Sequence, residues 1–295
     1  MITYILCPYY KTGGPKNMHL LCDYLNQLGY EAYMYYIPSN NPDPLYPLPN
    51  VKVASSIQDS PHNLLILPEI YSIKQICHSL PKITLAIWWL SYTNAALFNT
   101  LQENTSSTFS CIHFFHSYFE YVNVTPLLPT QCMWFYLSDW VDFEEPTTTQ
   151  ERLPAVAYNY AKDRTTPYYC NLLKIPTVPI KDMTPTQVRE TLSTVMIYAD
   201  LGFHPGKDKL PREAAMCNCV VVTNKAGAAA YEEVIPISEK VTHDDDLILL
   251  LPQILANYPL FLEKQNRYRI RTKSEKEIFQ KQVSQTWKQL QEILS

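Results

Sequence analysis

Residues 195–227 constrain the fold more than any other stretch, because they read as strand, loop, helix, strand and loop in direct succession. The runs Val195-Met196-Ile197-Tyr198 and Cys219-Val220-Val221-Val222-Thr223 are short, apolar and rich in β-branched residues, the composition of buried parallel strands. Between them, 210–217 is helix-like and carries Pro211 near its start, where a missing N–H costs nothing. Two strands joined through a helix form a βαβ unit, which requires a parallel sheet. The loop 202–209 contains Gly202 and Gly206, two of only six glycines in the chain, together with His204, Lys207 and Asp208. It delivers Arg212 and Glu213 into the start of the helix, and a helix N-terminus with added cations is an anion site.

The same alternation runs through the rest of the chain. Residues 2–8 form an apolar strand, 9–15 a loop containing Gly13 and Gly14, 18–28 a helix with Met18, Leu21, Cys22, Leu25 and Leu28 on one face, and 31–37 a second strand. Gly29 is the C-terminal cap between them. Pro38, Pro42, Pro44, Pro47 and Pro49 mark a surface loop. Further strands are expected at 63–68, 83–90, 109–115 and 131–137, with helices at 71–80 and 93–103. The polar stretch 138–150 has no apolar period and reads as a domain boundary.

The alternation restarts with a strand at 152–160 and a helix at 184–193, capped by Thr184 with Pro185 and Gln187. After Gly227 come a helix-like run at 228–234 and terminal helices over 247–256 and 259–294. The expectation is an α/β chain of two Rossmann-like, doubly wound domains, 1–148 and 149–275, with 276–295 a C-terminal helix packing back toward the N-terminal domain.

Composition narrows the class. With 46% hydrophobic and 18% charged residues the chain is globular, and a net charge of −4 argues against nucleic acid as a partner. The eight cysteines are scattered without a CxxC pair, and residues 1–6 lack the basic start and long apolar core of a signal peptide. Both point to a cytoplasmic protein with reduced thiols.

Lys207 and Arg212 are the strongest candidates for chemistry, since a lysine and an arginine beside a helix N-terminus supply the charge a diphosphate requires. Glu213 reads either as a residue stabilised by the helix dipole in the first turn or as an acceptor for ribose hydroxyls. His204 is a turn residue or a contact to diphosphate or sugar. Gly227 and Ala228 form a small-residue loop whose backbone can approach a ligand closely, and Gly13 and Gly14 occupy the corresponding loop of the first half. His19, near the start of the following helix, is a candidate general base or an ordinary helix histidine.

No metal site is expected, because the pairs His113/His116 and Cys217/Cys219 lack further ligands at metal spacing. GxGxxG, GxxxxGK[ST] and GxSxG are absent. The basic stretch 264–288, with Arg267, Arg269, Arg271, Lys273 and Lys276, reads as a solvated helix face. Its sharper alternative is peripheral contact with anionic lipid on the inner face of a membrane.

At these residues the chain resembles the GT-B fold glycosyltransferases, especially the nucleotide-sugar-dependent group related to family 4. Glu213-Ala214-Ala215 leading to Val220-Val221-Val222 is similar to that group's E-A helix followed by a V-V strand. A bacterial and viral subgroup has the approximate signature Y-x-D-x-G-x-H-P-G-K-D-x-x-P-R-E-A-A, matched from Tyr198 and Asp200 through His204, Pro205, Gly206, Lys207 and Asp208 to Arg212 and Glu213. Its G-G-P-x-x-x-H is matched by Gly13, Gly14, Pro15 and His19, and its P-E by Pro68 and Glu69. Pro205 stands where the wider family has the first glutamate of E-x7-E.

The resemblance implies two domains facing a cleft and transfer of a sugar from a nucleoside diphosphate sugar to a carbohydrate or glycolipid acceptor. It further implies a donor site including Lys162, His204, Gly206, Lys207, Arg212 and Glu213, with no metal and no cofactor beyond the donor itself. Donor sugar, base, acceptor, stereochemistry and oligomeric state stay open. Two other functions stay open as well: a non-catalytic nucleotide-sugar or glycan-binding module, and a nucleotide-sugar epimerase.

Overall fold

The computed structural model describes residues 1–37, 43–106, 108–141 and 151–294; Pro38, Pro42 and most of the polar stretch 138–150 lie outside them. The elements follow in the order β1 (Ile2–Pro8), α1 (Gly13–Gln27), β2 (Glu31–Ile37), β3 (Leu64–Pro68), α2 (Ile73–Ser79), β4 (Thr84–Trp89), α3 (Tyr92–Leu97), α4 (Leu101–Asn104), β5 (Ile112–Phe115), α5 (Tyr118–Val124) and β6 (Trp134–Tyr136). After these come β7 (Leu153–Asn159), α6 (Thr165–Leu172), β8 (Thr177–Ile180), α7 (Pro185–Thr194), β9 (Val195–Asp200), α8 (Lys209–Met216), β10 (Val220–Thr223), α9 (Leu247–Ala256), α10 (Tyr258–Lys264), α11 (Asn266–Lys273) and α12 (Glu275–Leu294).

The chain divides into two compact units, residues 1–139 with 277–295, and residues 140–276. Unit 1 holds a six-stranded sheet in the order β2-β1-β3-β4-β5-β6, all pairs parallel. Its central strand β3 is buried at every position, whereas the edge strand β2 alternates, as expected for strands covered on two faces and for an edge. α12 contributes Phe279, Val283, Trp287 and Leu290 at helical spacing to the interior of unit 1. The Trp287 indole N–H donates to Thr3 at 3.1 Å.

Unit 2 holds a parallel four-stranded sheet in the order β10-β9-β7-β8. Its core joins Val156, Ile197, Ala199, Val220 and Val222 of the sheet to Leu247, Leu251 and Ile254 of α9. In each unit the second strand lies on one side of the first and the third on the other. The strand order therefore reverses between β1 and β3 in unit 1, and between β7 and β9 in unit 2. The crevice beyond the carboxyl ends of the strands at such a reversal is where open α/β sheets bind ligands.

Several elements differ from the sequence reading. α1 begins at Gly13 instead of near Met18, so Gly13 and Gly14 open the helix and do not form a preceding loop. The helix expected over 93–103 is broken into α3 and α4 at Asn99, which takes a left-handed φ of 57°. Thr100 at the break donates to the Glu69 carbonyl at 2.5 Å. The run after Gly227 is a single 3₁₀ turn, Ala228–Ala230. Among the described residues no single helix is long and apolar enough to cross a membrane.

Candidate functional site

In unit 2, the turns after β7 and β9 meet at the strand-order reversal and enclose a pocket of ≈ 250 Å³ lined by Asn159, Lys162, Asp200, Pro205, Asp208 and Lys209. Asp163 ties the two turns together: it accepts from the backbone N–H groups of Thr165 and Thr166 at the start of α6 and from Leu201 N–H at 2.9 Å. Gly202 is needed where the Lys162 stem crosses, because a Cβ there would lie 2.6 Å from Lys162 Cγ. The Lys162 ammonium donates to Asp208 Oδ2 at 2.5 Å, lies 3.3 Å from Asp200 Oδ2 and donates to the Phe203 carbonyl at 3.2 Å. Tyr198 donates to the same Asp200 oxygen from below.

His204 is fully buried in this network. Its Nδ1 lies 2.7 Å from Asp208 Oδ2 and its Nε2 3.1 Å from the Asp200 carbonyl, so both nitrogens face acceptors. Burial alone would raise the Asp208 carboxyl, but the bond from His204 and the Lys162 ammonium outweigh it and hold the group below its ordinary range. Asp200, His204 and Asp208 gather within 4.8 Å, a grouping the sequence reading did not find because their ligand atoms converge only through the bent loop. The Lys162 ammonium already supplies positive charge to both carboxylates.

The second small-residue loop is stitched to the first. Gly227 has φ +62°, and a Cβ on it would fall 2.2 Å from the His204 carbonyl oxygen; that same oxygen accepts from Ala228 N–H at 2.8 Å. The Ala228 amide is therefore engaged within the chain. Gly206 is buried at the tip of the loop, where its carbonyl accepts from Asp208 N–H at 3.0 Å.

Lys207 and Arg212 converge on a residue the sequence reading missed. Glu275, first residue of α12, accepts from Lys207 Nζ at 3.0 Å with one oxygen and from Arg212 Nη1 at 2.8 Å with the other. Arg212 also donates to the carbonyls of Asp208 and Lys207 and is 2% exposed. Glu213 lies one turn into α8 instead of in its first turn, because the helix starts at Lys209. It pairs with Lys209 at i,i+4 and 2.8 Å. Lys209, on the pocket rim, is the most exposed of these five side chains.

The unit 1 candidates sit differently. His19 is fully buried, with Nδ1 2.7 Å from the Pro15 carbonyl and Nε2 2.7 Å from the Tyr36 hydroxyl; burial lowers its pKa. Both nitrogens are thus occupied inside unit 1, which does not fit a solvent-facing base. Neither Gly13 nor Gly14 meets a close atom that would demand glycine. Glu69, at the carboxyl end of β3, is buried and pushed up to about 7 by desolvation, although the N–H of Leu90 donates to it at 3.1 Å. In the basic stretch, Arg269 donates to the Leu262 carbonyl, Arg271 to the Glu232 carbonyl, and Lys264 lies 4.6 Å over the Phe261 ring. Much of that charge is engaged within unit 2.

No family model matches the chain, and no curated protein is significantly similar to it in sequence. Solved structures match it along its length. Sucrose-phosphate synthase from Thermosynechococcus elongatus is similar with a TM-score of 0.71 at 11% identity, covering 98% of both chains. HepE from Anabaena, solved with UDP and glucose, has a TM-score of 0.71 at 10% identity, covering 98% of this chain and 100% of that one. AviGT4, a glycosyltransferase involved in avilamycin A biosynthesis, has a TM-score of 0.61 at 11% identity over 99% and 97%. The chain has the α/β, parallel-sheet fold of the GT-B glycosyltransferases.

Proposed function

We propose that the chain transfers a sugar from a nucleoside diphosphate sugar to a carbohydrate or glycolipid acceptor. The observation that carries this reading is the pocket at the β7/β9 reversal, bordered by Lys162, Lys209 and the start of α8. The full-length fold likeness to HepE, solved with UDP-glucose, supports a uridine diphosphate sugar as the first donor to try.

In such a transfer the bond from the anomeric carbon to the diphosphate oxygen breaks, and charge grows on the departing oxygen. Preorganised cations and N–H groups stabilise that charge, and here the chain's own lysines and α8 would do so. Lys162 stands between the two carboxylates that could otherwise collect a divalent ion, which favours a metal-independent mechanism. Glu213, once released from Lys209, would accept ribose hydroxyls.

One observation favours the second reading, a non-catalytic nucleotide-sugar-binding module: Pro205 stands where the family it resembles has the first glutamate of E-x7-E. Thermal unfolding with UDP, UDP-glucose and other nucleoside diphosphates tests the shared donor site. A ligand at about 100 times its dissociation constant stabilises by about 2.7 kcal/mol. Stabilisation by a nucleoside diphosphate is expected; none by any of them overturns both readings.

A further inference from the structure

The eight cysteines divide by burial. Cys7, Cys22, Cys170, Cys217 and Cys219 are buried, whereas Cys77, Cys111 and Cys132 are half-buried, and these three come together in unit 1. The sheet register sets two of them side by side. β5 and β6 run parallel with His113 opposite Trp134, and the His113 N–H donates to the Met133 carbonyl at 3.0 Å. Two residues before that rung on either side stand Cys111 and Cys132. Residues two apart along a strand share a face, so Cys111 lies on the face of His113 and Phe115, and Cys132 on the face of Trp134 and Tyr136. It is one face: the Phe115 and Trp134 rings lie 6.1 Å apart. Cys77, on α2, packs against the same core cluster as Cys111.

This placement suits a covalent bond between the two strand-borne sulfurs. Neighbouring strands lie about 4.8 Å apart, and a disulfide spans Cα atoms about 4.4–6.8 Å apart. β6 is the last strand of the sheet, and both cysteines precede the first residue of their strands, so the backbone there can adjust to the bond. His113 orients one of the sulfurs. An indole N–H only donates, so the Trp89 N–H at 3.0 Å makes His113 Nδ1 the acceptor and leaves the ring proton on Nε2, 3.3 Å from Cys111 Sγ. Burial lowers His113 to about 4, so the neutral ring donates to the sulfur at physiological pH. Burial pushes the Cys111 thiol up to about 12, with Cys132 and Cys77 acting in the same direction, and it raises Cys132 as well. The pair therefore stays protonated until an oxidant accumulates.

We propose that Cys111 and Cys132 form a reversible thiol–disulfide pair, oxidised by a low-molecular-weight disulfide such as glutathione disulfide, whose bond closes the segment carrying α5 into a covalent loop. Cys132, flanked by the exposed Gln131 and Met133, meets the oxidant first. Its thiolate attacks one sulfur of glutathione disulfide, that S–S bond breaks and one glutathione leaves. Cys111 then attacks the Cys132 sulfur of the mixed disulfide and releases the second glutathione, and the two departing thiolates take up the two protons. Two protein thiols are oxidised and one small disulfide is reduced to two thiols.

The test equilibrates the full-length protein at neutral pH with buffers of rising glutathione disulfide content, quenches in acid, alkylates the remaining thiols and maps chymotryptic peptides by mass spectrometry. The expected result is a single linkage, Cys111 to Cys132, with two of the eight thiols lost and both recovered in dithiothreitol. In Cys111→Ser, Cys132 should be trapped as its mixed disulfide with glutathione, and in Cys77→Ser the linkage should form unchanged. Linkage of either cysteine to Cys77, glutathione on both cysteines without linkage, or eight free thiols in the most oxidising buffer overturns the proposal. The wild-type map decides this without any variant. No sugar donor or acceptor enters the measurement, so its outcome is separate from that of the transfer reading.

Discussion

Arg212 and Glu275, 63 residues apart in the chain, form an ion pair at 2.8 Å in which the arginine side chain is 2% and the glutamate 5% exposed. The second Glu275 oxygen holds Lys207, so one carboxylate occupies both cations proposed for the diphosphate. Removing Arg212 leaves this buried carboxylate with Lys207 alone and one oxygen unsatisfied, which costs about 1–3 kcal/mol. Arg212→Ala should therefore lower stability by that amount in urea unfolding, beyond any effect on ligand binding. A loss below about 1 kcal/mol would mean that Glu275 relaxes to solvent.

In the proposed donor site Glu275 would compete with a diphosphate for Lys207 and Arg212. Glu275→Gln removes the competing charge and should tighten UDP binding about tenfold, or about 1.4 kcal/mol, as read by isothermal titration. Unchanged or weaker binding by the folded variant would show that Lys207 and Arg212 serve structure alone.

Gly227 and Gly202 should be intolerant of a methyl group for different reasons. Gly227→Ala forces a left-handed φ on alanine and drives its Cβ into the His204 carbonyl, a loss of more than about 1 kcal/mol. Gly202→Ala displaces the Lys162 stem and should weaken nucleotide binding more than it lowers the melting temperature. Gly13→Ala, with nothing within 4 Å of the added atom, is the neutral control.

Burial raises Glu69 to about 7 and Glu120 to about 8, against an ordinary value of 4.5. The folded chain then holds protons that the unfolded chain releases, so this contribution to stability is fully present below pH 4.5. It is lost as the pH rises toward 8. Glu120→Gln should flatten that decline: its urea midpoint should change less than that of the wild type between pH 5 and pH 8.5. Parallel pH profiles would contradict the raised pKa.

Much of this architecture was legible from local patterns. The βαβ core of unit 2 announced itself because both strands are apolar runs and Pro211 sits within the first turn of α8; the Thr184 capping box formed as its sequence suggests. What local pattern could not carry is pairing at a distance. Glu275 looks like any charged residue on a mixed-charge helix, and nothing near it in sequence points to Lys207. The break at Asn99 depends on Thr100 reaching the Glu69 carbonyl, a contact across 31 residues that overrides helical periodicity. His19 matched a motif, yet its neighbour Tyr36 comes from the next strand and closes off the ring.

The central claim is sugar transfer from a nucleoside diphosphate donor, and the most direct test measures free nucleoside diphosphate and glycosylated product together. The protein would be incubated with UDP-glucose and related donors and an oligosaccharide panel, with Lys162→Ala as the comparison. Equimolar nucleoside diphosphate and a product heavier by one sugar are expected, with the variant slowed at least tenfold at a temperature where circular dichroism shows both proteins folded. Donor binding without either product, across the donor and acceptor panel, would contradict it and leave the binding-module reading in its place.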